Sequence, residues 1–404
     1  MKKFLFLSSL LLVGCTIEEE LPTELIVEEI PTPKEFVIYK NSFETHEFNN
    51  GYYSAHTTTL PDNGRLVVGI AYADFNKDGY VDIVGKDEQN PKVIKIYIND
   101  KNGNYTVSTL NSENGTTFDN VGPRKIITSD VDNDGDLDIL IGLAPDDEIN
   151  PRGLVIFENK GNGTKFHRHT ILDGKDDWIH GFSAGDINKD GIVDIFMSGK
   201  DYVLLGNGNF TFTKKQLPSF IKFSVTCELI DINKDGHLDV LLGKHIGEWD
   251  TPKDSERFSQ SHLIHFGTGD DNLFGEAYIL ESNYQGTNIT LDFSVIDFDN
   301  DGDLDLFVNS NFDYGSKYVI QYYENNGYKN FVNKSDEIFA NESNLVLNHY
   351  DIDWIKFIDM DNDGIKELMI EGVNWETTTG QQTHPKFNGF KLNSNRKFER
   401  KLLQ

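Results

Sequence analysis

Short runs of alternating apolar and polar residues recur along the chain from residue 35 onward. β-Branched and aromatic residues are frequent in these runs, and turn-forming residues follow every 6 to 12 positions. Successive side chains of a β-strand point to opposite faces, so a period of two over such residues predicts strands. No long stretch shows the 3.6-residue period of an amphipathic helix. The pattern therefore predicts an all-β fold.

A group of four predicted strands recurs six times. One copy has a short strand at residues 124–129, an apolar strand at 137–142, a strand at 154–163 that ends in an Asn/Gly turn, and an alternating strand at 166–172. The third and fourth strands recur at residues 93–110, 202–217, 262–280, 318–339 and 387–403. Four strands per repeat of this length are typical of a β-propeller blade. The second strand is apolar on both faces because neighbouring blades enclose it.

An acidic nonapeptide joins the first strand to the second in each copy. The six sequences are DFNKDGYVD from Asp74, DVDNDGDLD from Asp130, DINKDGIVD from Asp186, DINKDGHLD from Asp231, DFDNDGDLD from Asp297 and DMDNDGIKE from Asp359. Position 2 is always apolar, so one side of each loop faces a core. The other side presents side-chain oxygens at positions 1, 3, 5 and 9, and the glycine at position 6 permits a sharp turn.

These loops predict bound Ca²⁺. Three or four carboxylates this close repel one another without a counter-cation, and Ca²⁺ takes six to eight oxygen ligands. An EF-hand loop begins in the same way but requires a bidentate Glu at position 12. Here position 12 is occupied by Gly85, Ile141, Met197, Leu242, Val308 and Ile370. We therefore expect up to six structural Ca²⁺ ions, each held between strands of one blade.

The six loops resemble the FG-GAP and VCBS repeats of integrin-like β-propellers, and the resemblance covers about residues 65–404. It implies side-chain ligands at positions 1, 3, 5 and 9 and a backbone carbonyl ligand at position 7. The implied ligands are Asp74, Asn76, Asp78, Tyr80 and Asp82; Asp130, Asp132, Asp134, Asp136 and Asp138; Asp186, Asn188, Asp190, Ile192 and Asp194; Asp231, Asn233, Asp235, His237 and Asp239; Asp297, Asp299, Asp301, Asp303 and Asp305; and Asp359, Asp361, Asp363, Ile365 and Glu367. Glu367 and Lys366 depart from the repeat, which implies weaker binding at the sixth site.

The expected propeller has seven blades, with six blades as the alternative. Six blades carry an acidic loop, whereas residues 35–60 supply only a third-and-fourth-strand pair at 36–40 and 52–60. This pair either belongs to a seventh blade without calcium or edges a ring of six.

The chain of 404 residues has a formal net charge of −29. Nucleic acid is not an expected partner, because its phosphate backbone is itself negative. No phosphate loop indicates a nucleotide site. Six bound Ca²⁺ would leave a charge of about −17, so much of the acidity belongs to predicted ligands. Two cysteines cannot form a disulfide framework, and Cys227, in a strand-like run, is expected to be a core thiol.

Residues 1–14 have the features of a signal peptide, with two lysines before a ten-residue apolar stretch too short to span a bilayer. The sequence LVGC at 12–15 resembles the lipobox of bacterial lipoproteins, which implies a lipid anchor on Cys15. Residues 15–35, rich in Glu and Pro, predict a solvated tether. Residues 36–404 would then form a single propeller domain. The expected location is the bacterial outer membrane, facing the surface, with a periplasm-facing protein as the alternative.

The segments that enter the first strands bring candidate ligand-binding residues to one face, where loops from several blades converge. These candidates are Arg65, Arg124, Trp178, His180, Asp353 and Trp354. No catalytic residue is assigned. For proton abstraction the candidates would be His180 as the base and Arg124 as an anion clamp. Alternatively, the tryptophans pack between blades and the charged groups are solvated.

Three functions remain open from the sequence. The preferred one is a non-enzymatic surface lipoprotein, stabilised by calcium, that binds a glycan or a protein. The second is a glycan-active enzyme of the polysaccharide-lyase type, an activity that the resemblance implies for some propellers. The third is a scaffold subunit of a surface complex. Propellers host many functions, so the ligand does not follow from the fold.

Overall fold

In a computed structural model, the chain divides into two units, Met1–Phe36 and Val37–Gln404, and all described residues belong to the second. The described residues are 66–80, 82–87, 93–101, 105–113, 123–143, 153–174, 179, 181–219, 224, 226–243, 262–282, 289–312, 317–327, 329–339, 346–348, 350–358, 367–375, 382–383, 389–393 and 395–401. The predicted signal peptide, lipidation site and tether lie outside them. So do the strand pair at 36–60 and residues 359–366 of the sixth loop.

Six antiparallel sheets follow one another along the described part of the chain. Sheet 1 contains β1 (Leu66–Ala73), β2 (Asp82–Asp87), β3 (Ile94–Asn99) and β4 (Tyr105–Thr109). Sheet 2 contains β5 (Pro123–Ser129), β6 (Asp138–Leu143), β7 (Gly153–Asn159) and β8 (Phe166–Leu172). Sheet 3 contains β9 (Phe182–Gly185), β10 (Asp194–Met197), β11 (Tyr202–Gly206) and β12 (Phe212–Gln216).

The last three sheets repeat this order. Sheet 4 contains β13 (Thr226–Ile230), β14 (Asp239–Gly243), β15 (His262–Gly267) and β16 (Phe274–Leu280). Sheet 5 contains β17 (Ile289–Ile296), β18 (Asp305–Phe312), β19 (Lys317–Asn325) and β20 (Phe331–Asn333), and β21 (Val346–Asn348) also pairs with β19 after a one-turn helix α1 (Ser335–Ile338). Sheet 6 contains β22 (Tyr350–Ile358), β23 (Glu367–Trp375), β25 (Gly389–Leu392) and β26 (Phe398–Lys401), with β24 (Gln382–Thr383) paired to β23.

The predicted all-β propeller architecture is confirmed. Within each sheet the strands pair in chain order, from the first strand to the last, apart from the short side strands. The second strand is buried on both faces, as the sequence predicts, because β6, β10 and β14 are buried at every position. In β6, Ile139 and Ile141 pack towards sheet 1 whereas Leu140 packs towards sheet 3. An apolar run with a period of two thus supplies two cores at once.

The prediction of seven blades is wrong for the described residues, which form six sheets. The strand pair that led to it lies outside the described residues, and by its sequence it lacks the apolar second strand that neighbouring sheets enclose. Hydrophobic clusters lie between each pair of consecutive sheets from sheet 1 to sheet 6. Closure of the six sheets into a ring remains a prediction.

The first strands of successive sheets contact one another, from β1 through β5, β9, β13 and β17 to β22. Sheets 2 and 4 also meet directly through these strands, past the intervening β9. Lys125 on β5 donates from Nζ to the Glu228 carboxylate on β13 at 2.5 Å and to the Cys227 carbonyl at 3.2 Å. First strands that meet across an intervening sheet must lie near a common axis. The first strand is therefore the inner strand of each sheet, as in a propeller.

Cys227 has the role that the sequence predicts. It is fully buried in the core between sheets 3 and 4, and burial raises the pKa of its thiol to about 12. Such a thiol stays protonated and packs as a small apolar group. Among the described residues, no helix has the length and apolar character needed to cross a membrane.

Breaking the Lys125–Glu228 ion pair is expected to destabilise the fold. The side chains of Lys125 and Glu228 are 12% and 3% exposed, so Glu228→Gln leaves a buried ammonium without its counter-charge. We expect a loss of about 3 kcal/mol in the free energy of unfolding, measured by urea denaturation. The control is Glu113→Gln, whose partner Lys165 lies 3.9 Å away with 64% of its side chain exposed, and which should cost less than about 0.5 kcal/mol. Equal losses in both variants would contradict the structural role assigned to the buried pair.

Candidate functional site

Five of the six acidic loops lie within the described residues, apart from residue 81 of the first. They connect β1 to β2, β5 to β6, β9 to β10, β13 to β14, and β17 to β18. We number them loops 1 to 5. Because each loop joins the first strand of a sheet to the second, all five lie at the same end of their sheets.

Each loop is wound around the aspartate at position 1. In all five, the carboxylate Oδ2 of that residue accepts the N–H of the glycine at position 6, at 2.6 to 3.2 Å. This glycine has φ between +84° and +97°, which a residue with a Cβ rarely adopts. The residue at position 4 is a lysine or asparagine with φ between +56° and +63°. Two left-handed residues in nine turn the loop back on itself, so positions 1, 3 and 5 face its centre.

The aspartate at position 9 ties the loop to two strands. These residues are Asp82, Asp138, Asp194, Asp239 and Asp305, and each is 0% exposed. In every case Oδ2 accepts the N–H of position 2 at 2.9 to 3.0 Å. Oδ1 accepts the N–H of the last residue of the third strand at 2.7 to 2.8 Å. One carboxylate therefore holds the start of the loop, the second strand and the third strand together.

Burial raises the pKa of each position-9 carboxyl, although both backbone donors oppose the shift. The pKa rises to about 7 for Asp82, Asp194 and Asp239, to about 8 for Asp138 and to about 6 for Asp305. Desolvation is the largest cause in each, and the carboxylates at positions 1, 3 and 5 add smaller repulsive contributions. A cation in the loop would oppose both effects, because it favours the charged form.

The loops fall into two types according to position 3. Loops 1, 3 and 4 have asparagine there, and its amide donates to Oδ2 of the position-5 aspartate at 2.9 to 3.1 Å. In the same loops the position-5 N–H donates to Oδ1 of position 1, at 2.9 to 3.0 Å. Both carboxylates thus have donors inside the loop.

Loops 2 and 5 have aspartate at positions 1, 3 and 5. In each, the three carboxylates offer ligand atoms within 4.8 Å of one another. In loop 5, Oδ1 of Asp297 is buried and has no hydrogen-bond donor among the described residues. A buried carboxylate oxygen without a donor is costly, and two further carboxylates beside it add repulsion. The donor set is made of hard oxygens, so it fits a cation such as Ca²⁺.

Sequence reasoning missed one glutamate beside each loop of the second type. Glu158 is the penultimate residue of β7 and Glu324 that of β19, and their charges raise the pKa of Asp132 and Asp299, although desolvation is the main cause. Glu158 accepts from Lys160 and lies 2.9 Å from His169 Nε2, while Glu324 accepts from Lys334 at 2.6 Å. In the sequence each glutamate directly precedes the asparagine that ends the third strand. A glutamate directly before the asparagine of this turn is the sequence feature that could have identified it.

The position-4 side chains were also missed, and they join one loop to the next. Lys77 of loop 1 lies 2.5 Å from the Asp136 carboxylate of loop 2. Asn133 of loop 2 donates to the Gly191 carbonyl of loop 3 at 2.9 Å, and Lys234 of loop 4 donates to the Gly302 carbonyl of loop 5. Each contact runs from position 4 to position 6 or 7 of the following loop. These contacts therefore join loop 1 to loop 2, loop 2 to loop 3, and loop 4 to loop 5.

The predicted ligand face lies at the other end of the strands and is largely outside the described residues. Arg65, Trp178 and His180 fall outside them. Arg124 lies on β5, and Asp353 and Trp354 lie on β22, where the structure describes the backbone. The convergence of these side chains stays a prediction, and so do the roles of His180 and Arg124 in catalysis.

Comparison with known proteins finds that two stretches of the chain are similar to a known repeat family. A family described as the FG-GAP-like repeat matches residues 130–197 and 297–370, together about a third of the chain. The two matches begin at the first aspartates of loops 2 and 5, the loops with three aspartates. No curated protein matches the chain at a significant level.

Without metal, the stability of the protein is expected to fall as the pH rises from 5 to 8. The folded-state pKa of the position-9 carboxyls lies near 6 to 8, against 3.8 for an ordinary aspartate. The folded chain therefore holds more protons than the unfolded chain in this range, and the stabilisation is lost through the folded pKa. Thermal melts in EDTA at pH 5, 6, 7 and 8 measure the trend.

The same melts in excess CaCl₂ provide the control, since a bound cation should flatten or reverse the slope. Asp138→Asn should lower the melting temperature at every pH but reduce its pH dependence in EDTA. A melting temperature that rises from pH 5 to pH 8 in EDTA would contradict the assignment.

Proposed function

Because this chain carries FG-GAP-like repeats in a β-propeller, we propose that it is a calcium-stabilised binding module, held at the bacterial cell surface by a lipid on Cys15. The ligand is a glycan or a protein, bound at the end of the sheets opposite the acidic loops. The sequence at residues 1–15 supports the anchor, and the fold supports binding rather than a particular chemistry.

The observation that carries this proposal is the difference between the two ends of the sheets. At one end, the five described acidic loops share the bonds from position 6 to position 1 and from position 2 to position 9. At the other end, the connection between the second and third strands ranges from residues 198–201 in sheet 3 to residues 244–261 in sheet 4. Loops of varied length and sequence on a rigid scaffold are where proteins place binding residues. The uniform end is then structural and the varied end is functional.

The role of calcium follows from the two loop types. In loops 1, 3 and 4, an asparagine already donates to the position-5 carboxylate, so a cation adds to an arrangement that is partly neutralised. In loops 2 and 5, three carboxylates converge, and in loop 5 one buried oxygen has no donor among the described residues. Calcium at these two loops would contribute most to stability, since it would neutralise the repelling carboxylates and bind the carboxylate oxygen that has no donor.

Chelation is expected to lower the melting temperature of the full chain. A site filled at about 1,000 times its Kd contributes ~4 kcal/mol, so excess EDTA should lower the melting temperature by about 10 °C or more. Asp132→Asn and Asp299→Asn convert loops 2 and 5 to the asparagine type. Each variant should reduce the difference between the melting temperatures measured in CaCl₂ and in EDTA. An unchanged melting curve in excess EDTA would refute the structural role of calcium.

A glycan-array screen of the calcium-loaded protein tests the binding function. We expect selective binding that is lost in EDTA, because the binding loops depend on the calcium-stabilised sheets. Incubation with uronate-containing polysaccharides, followed by absorbance of unsaturated products, tests for a lyase in parallel. Binding without cleavage supports the proposal. Cleavage would replace it with the enzyme, and neither binding nor cleavage would favour a scaffold subunit that binds another protein.

A further inference from the structure

A groove of 480 Å³ opens at the acidic-loop end between sheets 3 and 4. It is bordered by loop 3, loop 4, Lys215 on β12 and the turn between β15 and β16. Its charged and ionisable lining residues are Lys189, Lys215, His237, Asp270 and Asp271. It lies at the opposite end of the strands from the proposed ligand face, so it is a separate site.

The groove lies where the contact between consecutive loops breaks its pattern. In the loop pairs 1–2, 2–3 and 4–5, the position-4 side chain finds an acceptor on the next loop: a carboxylate at Asp136, or the carbonyl of Gly191 or Gly302. In the pair 3–4, the position-4 side chain is Lys189 of loop 3, and the residue at position 7 of loop 4 is His237. The Lys189 ammonium lies over Gly236, where an added Cβ would be 3.2 Å from Nζ. It has no hydrogen bond or ion pair within the described residues.

The His237 ring is held in the groove by the turn opposite it. Gly269 lies against the ring, and a Cβ at this position would come within 2.4 Å of the ring carbon Cε1 and 2.7 Å of Nε2. Gly269 also has a φ of +66°, so two constraints favour glycine there. Nδ1 of His237 is enclosed and has no hydrogen-bond partner among the described residues. The groove is thus bordered by a Lys189 ammonium without an acceptor and by a His237 ring nitrogen without a partner among the described residues.

Lys215 contributes a second ammonium group, and two carboxylates limit the total charge. Lys215 lies 3.7 Å from Asp271, whose side chain is fully exposed. The Asp270 carboxylate is hydrogen-bonded within its own turn. It accepts from Thr268 Oγ1 at 2.7 Å and from the Asn272 N–H at 2.8 Å. The pKa of Asp270 is lowered by these bonds, chiefly that from Thr268. An exposed ion pair such as Lys215–Asp271 contributes little free energy, so Lys215 can bond to another anion instead.

We propose that this groove binds an oxyanion, a sulfate or carboxylate group, between Lys189, His237 and Lys215. The group would supply the acceptor that loop 4 lacks at position 7, and so would complete the contact between loops 3 and 4. Charge-assisted bonds from ammonium groups to an oxyanion are the strong class of hydrogen bond. The volume exceeds that of a lone ion, so it accommodates an anionic substituent together with the sugar ring that carries it.

Titration of the calcium-loaded protein with sodium sulfate tests the site, with sodium chloride at equal ionic strength as the reference. The NMR signals of the His237 imidazole, identified by their loss in His237→Gln, report occupancy. We expect a saturable shift with sulfate and none with chloride. Lys189→Met should weaken sulfate binding by about tenfold, since one charged hydrogen bond is lost. Asp271→Asn should tighten binding, because it releases Lys215.

The matched control is Lys214→Met. Lys214 is the neighbour of Lys215 on β12 but extends over the Tyr202 ring at 4.5 Å, and it does not line the groove. Lys214→Met removes the same charge and should change the sulfate affinity by less than about twofold from that of the unmodified protein. Equal weakening by Lys189→Met and Lys214→Met, or a shift that does not saturate, would overturn the proposal.

Titration with a sulfated and with a uronate disaccharide then distinguishes the two possible sources of the oxyanion. Tighter binding than that of sulfate indicates a substituted glycan, and weaker binding indicates a free ion. Because this site is at the other end of the sheets, its failure leaves the array result unaffected.

Discussion

The structure depends on a buried aspartate that accepts two backbone N–H bonds at the end of each acidic loop. In the five described loops, one oxygen holds position 2 and the other holds the last residue of the third strand. A carboxylate taken out of water is expensive unless its oxygens are bonded. These donors lower the cost, and burial still raises the pKa of the group well above that of a free aspartate. The loop, the second strand and the third strand are therefore coupled through one titratable group.

This coupling links the chemistry of the loops to the packing of the sheets. Position 2 lies beside the bonded aspartate and enters the core: Phe75 packs between sheets 1 and 2, and Ile232 packs between sheets 4 and 5. The carbonyl of position 2 is used by the next sheet, where Asn159 donates to Phe75 and Arg396 donates to Phe298. A change in the charge of a loop is thus expected to affect the hydrophobic core between its own sheet and the next. Structural cations at such loops would stabilise the whole array rather than one turn.

The acidic loops share one backbone arrangement but not one set of side chains. Two loops concentrate three carboxylates and have a glutamate close by, whereas three loops place an asparagine amide among the carboxylates. Between loops 3 and 4, two basic residues replace the usual pairing of donor and acceptor. The repeat therefore conserves the backbone arrangement while its side chains differ from sheet to sheet. Under the two proposals, cations would bind the carboxylates at positions 1, 3, 5 and 9, whereas the anion would lie between the side chains of position 4 in loop 3 and position 7 in loop 4.

The sequence by itself determined the strands and the loops, because both depend on short-range patterns. The alternation from Phe166 to Leu172 specifies β8, and six nonapeptides at regular spacing specify one repeating unit. Burial of Cys227 also followed from its apolar neighbours.

Only the tertiary structure decided how the repeats meet. Lys125 and Glu228 are more than a hundred residues apart and pair only because their strands share an axis. The acceptors for the position-4 side chains of loops 1, 2 and 4 lie on the next sheet, so nothing within one nonapeptide reveals them. The number of sheets could not be read from the strand pair at 36–60, since pairing depends on which neighbour encloses a strand and not on its own sequence. Local patterns specify elements, whereas contacts between distant residues require the positions of both partners.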